Sequence, residues 1–101
     1  MMINEIIYEE EQRNQAMIDM YSNILSSLPK GVLIKKKCGY YYLKYREGNK
    51  VIDKYIGNKT ETVNKIARQI EERKHNEKML KELIKEKKKI YKIKSDLDKN
   101  D

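Results

Sequence analysis

The sequence contains no tryptophan and no phenylalanine, and only one cysteine, one proline and one histidine among 101 residues. Each shortage excludes something. A single cysteine, Cys38, cannot form an internal disulfide, and one histidine with one cysteine cannot make a zinc set. Leucine, isoleucine and tyrosine must therefore supply the core. That core is thin, and small domains of this kind often draw further stability from a partner or from self-association. No apolar run approaches the ~18 residues of a membrane span. The opening MMINEIIYEEE is acidic, unlike a signal or transit peptide, so the expected compartment is the cytoplasm.

Charge is what the chain has in quantity. Charged residues make up 39% of it, and the net charge is +7. This balance points to a polyanion such as DNA or RNA, or to an acidic protein surface.

Residues 3–27 carry Ile3, Ile7, Met17, Tyr21, Ile24 and Leu28 near a seven-residue repeat, which predicts an amphipathic helix. Glu10 and Asn14 interrupt its apolar stripe. The interruption fits a solvent-exposed stretch, a polar register pin, or a helix docked only at its C-terminal half. Leu28-Pro29-Lys30-Gly31 ends the helix, because proline disfavours helical geometry in the residue before it.

All four glycines, the proline and most of the tyrosines fall between Leu28 and Gly57. Val32 to Lys37, Tyr40 to Arg46 and Val51 to Ile56 read as three strands, separated by Cys38-Gly39 and Gly48-Asn49. Gly48-Asn49 suits a type II′ turn. With two-residue turns at both places, Tyr45 faces Ile52, Leu43 faces Lys54 and Tyr41 faces Ile56. In the first hairpin, Lys36 faces Tyr41, Ile34 faces Leu43 and Val32 faces Tyr45. One face then holds Val32, Ile34, Tyr41, Leu43, Tyr45, Ile52 and Ile56, with Lys36 and Lys54 as exceptions. The other holds Lys35, Lys37, Tyr40, Tyr42, Lys44, Arg46, Asp53 and Tyr55, with Leu33 and Val51.

A long second helix follows, with Asn58 as its expected cap and Glu61 as the reciprocal member of a capping box. Val63, Ile66, Ala67 and Ile70 form its first stripe. Arg73 to Glu77 is polar, and the stripe resumes out of phase at Met79, Leu80, Leu83, Ile84, Ile90, Ile93 and Leu97. A bend, a break or a change of partner is expected there. The fold class is α+β: helix 1–28, three-stranded antiparallel sheet 29–57, helix 58–97 and a frayed tail 98–101, forming one domain. The two helices are suited to pairing, in one chain or across a homodimer.

Candidate chemistry is sparse. His75 lies in a charged stretch with no second ligand for a metal. Cys38 has no histidine near it in sequence to act as a base. No phosphate loop, serine nucleophile or spaced carboxylate pair is present. The expectation is a non-enzymatic protein without cofactor or metal. The sharper candidate is the basic face: Lys35, Lys37, Lys44 and Arg46 for phosphates, and Tyr40, Tyr42 and Tyr55 for bases or phosphates. The run Lys85, Lys87, Lys88, Lys89, Lys92 and Lys94 is less specific, a solvated helix side or a backbone contact.

The ordered strings LPKG, YYYLKYREG and YIG, then IEERK in the following helix, resemble small proteins of unknown function from Gram-positive phages and mobile elements. The resemblance runs from about Leu28 to Ile84. The order of three strands then a helix also looks like the arm-type DNA-binding domain of tyrosine integrases. That likeness implies DNA contact through Lys35, Lys37, Tyr40, Tyr42, Lys44, Arg46 and Tyr55. No recombinase domain is present, so the resemblance implies a fold and not that activity. Small phage proteins also include anti-CRISPR inhibitors. This implies an alternative partner, a host nuclease or its RNA complex in a bacterial cytoplasm.

Overall fold

The computed structural model describes residues 2–99. Helix α1 spans Met2–Ser27, strands β1, β2 and β3 span Val32–Lys35, Tyr41–Glu47 and Lys50–Gly57, and helix α2 spans Thr60–Lys99. The strands form one antiparallel sheet in the order β1-β2-β3, so the tyrosine-rich β2 is central. This is the expected α+β order. Helix α2 runs through Lys99, so Asp98 and Lys99 belong to it and not to a frayed tail. The expected tail residues Asn100 and Asp101, and Met1, lie outside the described residues.

The chain divides into two compact units. One is Ser27–His75: the sheet and the first part of α2. The other joins the chain ends, through Ser26 and from Asn76 onward. Helix α2 continues unbroken across that division. The out-of-phase stripe is therefore a change of partner, not a break.

In the sheet unit the second hairpin has the expected register. Tyr45 pairs with Ile52 and Leu43 with Lys54. Gly48 has φ +62°, and no residue other than glycine has positive φ among those described. That combination fits the type II′ turn. The first hairpin differs. Val32 pairs with Lys44, Leu33 with Leu43, Ile34 with Tyr42 and Lys35 with Tyr41, one residue off the expected register. The cause is the turn. The Lys36 N–H donates to the Tyr40 carbonyl at 3.0 Å, and the Gly39 N–H donates to the Lys36 carbonyl at 2.9 Å. Gly39 has φ +87°. Lys37-Cys38-Gly39 is thus a three-residue loop whose glycine takes the left-handed position, not a two-residue turn.

That single extra residue exchanges faces. Leu33 and Lys35 join Tyr41, Leu43, Tyr45 and Ile52. Val32, Ile34 and Lys36 go to the tyrosine face, contrary to expectation. A bulge between Tyr41 and Tyr42 also shifts β3, so Tyr41 pairs with Gly57 and not with Ile56. Leu43 is 4% exposed at the centre of its face. Ile70 is buried, and Val63, Ile66 and Ala67 are half-buried on the part of α2 belonging to this unit. A sheet cannot bury its own apolar face, and this stripe is the apolar helical surface that the unit offers to it. Burying such a leucine contributes about 1.5–3 kcal/mol. The helix begins one residue later than expected. The Val63 N–H donates to the Lys59 carbonyl at 3.0 Å, which makes Lys59 the cap and leaves Asn58 outside it. The Arg73 guanidinium donates to the Leu28 carbonyl at 2.8 Å and ties the helix to the chain entering the sheet.

In the helical unit, α1 and the later part of α2 pair antiparallel. Lys94 meets Glu11 at 3.3 Å, Lys87 donates to Gln15 at 2.8 Å, and Asn14 donates to the Leu83 carbonyl at 2.9 Å. Leu83 and Ile90 are buried along the seam. Within the single chain, the two helices thus pair with each other. Asn14, at 2% exposure, is fully enclosed. Of the three readings of the gap in the α1 stripe, the polar register pin is the one seen.

Candidate nucleic-acid interface

The open face of the sheet is built by alternation on β2. Tyr42, Lys44 and Arg46 point to one side because Leu43 and Tyr45 point to the other. Cross-strand pairing adds Tyr55 opposite Tyr42, Asp53 opposite Lys44 and Val51 opposite Arg46. From β1 come Ile34 opposite Tyr42 and Val32 opposite Lys44. Tyr40 and Lys36, joined across the loop, extend the face beyond the end of the strands.

Three of the rings touch. Tyr40 and Tyr55 have centroids 5.8 Å apart at 41°, and Tyr42 meets Tyr55 edge-on at 5.5 Å and 71°. Such tilted pairs contribute about 0.5–1.5 kcal/mol beyond area burial. The Lys36 ammonium sits 4.2 Å above the Tyr42 ring and 3.5 Å from the Asp53 carboxylate. Lys36 thus covers one side of Tyr42 and engages the one carboxylate among the strand residues of this face. Tyr55, at 58% exposure on the edge strand, is the most open of the three rings. Lys44 and Arg46 are exposed further along β2.

Of the seven residues expected in the site, five share this face: Tyr40, Tyr42, Lys44, Arg46 and Tyr55. Lys35 does not. It pairs with Tyr41 on the opposite face, with its ammonium 5.9 Å from that ring. Lys37 stands in the loop, exposed at the end of the sheet. Lys36 is the member the sequence reading missed. The signal for it was Gly39, since a glycine third in a loop favours the three-residue hairpin. Val32 and Val51, 64% and 53% exposed, lie at the far end of the face beside Lys44 and Arg46.

What this surface can do follows from its groups. Lys44 and Arg46 offer ammonium and guanidinium donors, and the tyrosines offer hydroxyls and ring edges. All are acceptable partners for phosphate oxygens. Charge is partitioned sharply. Residues 27–75 hold thirteen of the chain's 23 cations and five of its 16 carboxylates, so the whole positive excess lies in the sheet unit. Among the described residues, no group of His, Cys, Asp or Glu side chains is arranged to hold a metal. No described helix is long and apolar enough to cross a membrane.

No curated protein and no solved structure matches the chain. A family described as a domain of unknown function, DUF6788, matches residues 7–65, which run from α1 through the whole sheet to the first turns of α2. The match covers more than half of the sequence, and the chain belongs to that family.

Proposed function

We propose that this is a non-enzymatic protein of a phage or other mobile element that binds nucleic acid through the open face of its sheet. The observation that carries this reading is the concentration of the positive excess in the unit that presents Lys44, Arg46 and the Tyr40–Tyr55–Tyr42 cluster on one exposed face. Cations neutralise phosphates and release their counterions, and tyrosine hydroxyls orient on the same backbone. The packing of the rings refines the mode. Tyr42 is covered by Lys36 and abuts Tyr55 edge-on, so the rings do not form a flat ladder for successive unstacked bases. Contact with a backbone fits this arrangement better than stacking along a single strand.

The test is a binding titration against duplex DNA, duplex RNA and single strands over a range of salt. Contact with about four to six phosphates makes the log–log slope about −0.9 per phosphate on B-DNA. Lys44→Glu with Arg46→Glu abolishes binding while circular dichroism stays unchanged. Flat salt dependence, or full binding by the double variant, refutes the reading.

A second reading has one observation in its favour. The exposed Val32 and Val51 flank the same two cations, and apolar side chains beside charges are more usual where the partner is a protein. In that case the face docks on a host nuclease or its RNA complex and inhibits it. Capture of a purified nuclease that survives removal of nucleic acid, and is lost on Val32→Asp, selects this reading over the first.

A further inference from the structure

The lysine run of α2 is two sets, not one. Lys87 and Lys94 face α1, where they hold Gln15 and Glu11. Lys78, Lys81, Lys85, Lys88 and Lys92 alternate by three and four residues, the spacing that keeps side chains on one line of a helix. That line lies on the side of α2 opposite the buried Leu83 and Ile90. All five are exposed. Lys85 lies a loose 3.8 Å from Glu82, which sits to the side of the line. No carboxylate interrupts the line from 78 to 92. Its length is about 21 Å, with a charge every 5 Å or so.

This ladder opposes the helix it sits on. Each successive pair is a like-charge contact at three or four residues, which disfavours the helix. The described contacts across the hairpin come from its apolar seam, from Asn14 and from the inward lysines, not from this line. An uninterrupted, regularly spaced row of cations matches a regularly spaced row of anions. A strand of duplex nucleic acid carries a phosphate about every 3.4 Å of axis. A membrane surface fits less well, because an interfacial helix inserts a continuous apolar face, and here Leu83 and Ile90 are buried while Ile84, Tyr91 and Ile93 are exposed singly.

We infer that the outward lysine seam of α2 is a second nucleic-acid surface, contacting the phosphate backbone independently of the sheet face. It reads no bases, since a row of ammonium groups on a helix makes point-charge contacts alone. It also lies outside the residues matched to the family, which end at 65.

The experiment uses the full chain and a labelled 25-base-pair duplex, with affinity measured across a salt series. The seam variant is Lys81→Gln, Lys85→Gln and Lys88→Gln, since glutamine keeps helix propensity close to that of lysine. A charge-matched control within the same unit, off the outward line, is Arg13→Gln, Lys87→Gln and Lys94→Gln. The seam variant is expected to weaken binding tenfold or more and to lower the salt slope by about 2 to 3, with helicity unchanged. The control is expected to change affinity by less than threefold. The inference is overturned if the seam variant leaves the slope unchanged, if the control loses as much as the seam variant, or if the wild type binds anionic vesicles and no duplex. The sheet variant Lys44→Glu with Arg46→Glu separates the two surfaces. If it abolishes binding while the seam variant has no effect, the sheet reading stands and the seam falls. The reverse pattern leaves the seam and removes the sheet.

Discussion

Three residues show how a single side chain, or its absence, sets local structure. Asn14 is buried on α1 and spends its amide hydrogens on the Leu83 carbonyl and, at 3.4 Å, on Glu86. Shortening it to alanine removes these bonds and leaves a small void. Asn14→Ala should cost about 1–2 kcal/mol, read from the urea midpoint. Asn14→Leu should cost less, because an apolar residue suits the seam, yet it removes the pin that fixes one helix against the other. Loss of a single register, seen as broadened amide resonances in the helical unit, is its expected signature. Gly31 has φ +115°, and a β-carbon there would press on the Lys44 carbonyl oxygen and lie 2.9 Å from Tyr45 Cβ. Both objections apply to any side chain, so Gly31→Ala should destabilise by roughly 1–3 kcal/mol. Gly39, with open space where a β-carbon would stand, should accept asparagine at roughly 1 kcal/mol or less. Thermal unfolding of the two variants side by side checks the contrast.

Among the elements, what could be read in advance depended on whether local signals were redundant. The second hairpin was legible because Gly48-Asn49 and the pairing of Tyr45 with Ile52 and Leu43 with Lys54 agree. The helices were legible from period alone, and so was the place where α2 changes partner. The first hairpin was not. Its strand Val32–Lys35 is apolar on both faces, with Val32, Leu33 and Ile34 in succession, so periodicity cannot choose between registers. Only the loop decides, and Cys38-Gly39 reads equally well as a two-residue turn or as the end of a three-residue one. Five of the seven site residues survived that slip because they lie on β2, on β3 or beside the loop. Lys35 did not, because its face depends on the first hairpin alone. At this scale Leu43→Ala is the informative change. It should cost about 2–5 kcal/mol by opening a cavity between the sheet and α2. The loss should appear in guanidinium unfolding without any change in the residues of the open face.

For the molecule as a whole, α2 is the element that both units share. It crosses from one to the other near His75, which is exposed. Proline at that position removes a helix bond and clashes with the preceding turn, a cost of about 3 kcal/mol. His75→Pro should therefore lower the melting temperature by several degrees, whereas His75→Ala should leave it unchanged, as followed by circular dichroism. The other whole-molecule property is the partition of charge. The sheet unit carries the full excess, and the helical unit is close to neutral because the acidic residues of α1 offset the lysines of α2. Under the proposed function, the field of a polyanion pulls on the sheet unit and acts little on the helical one, which raises the rate of encounter through the sheet unit. The footprint of that steering is kinetic: added salt should slow association steeply and leave dissociation far less affected.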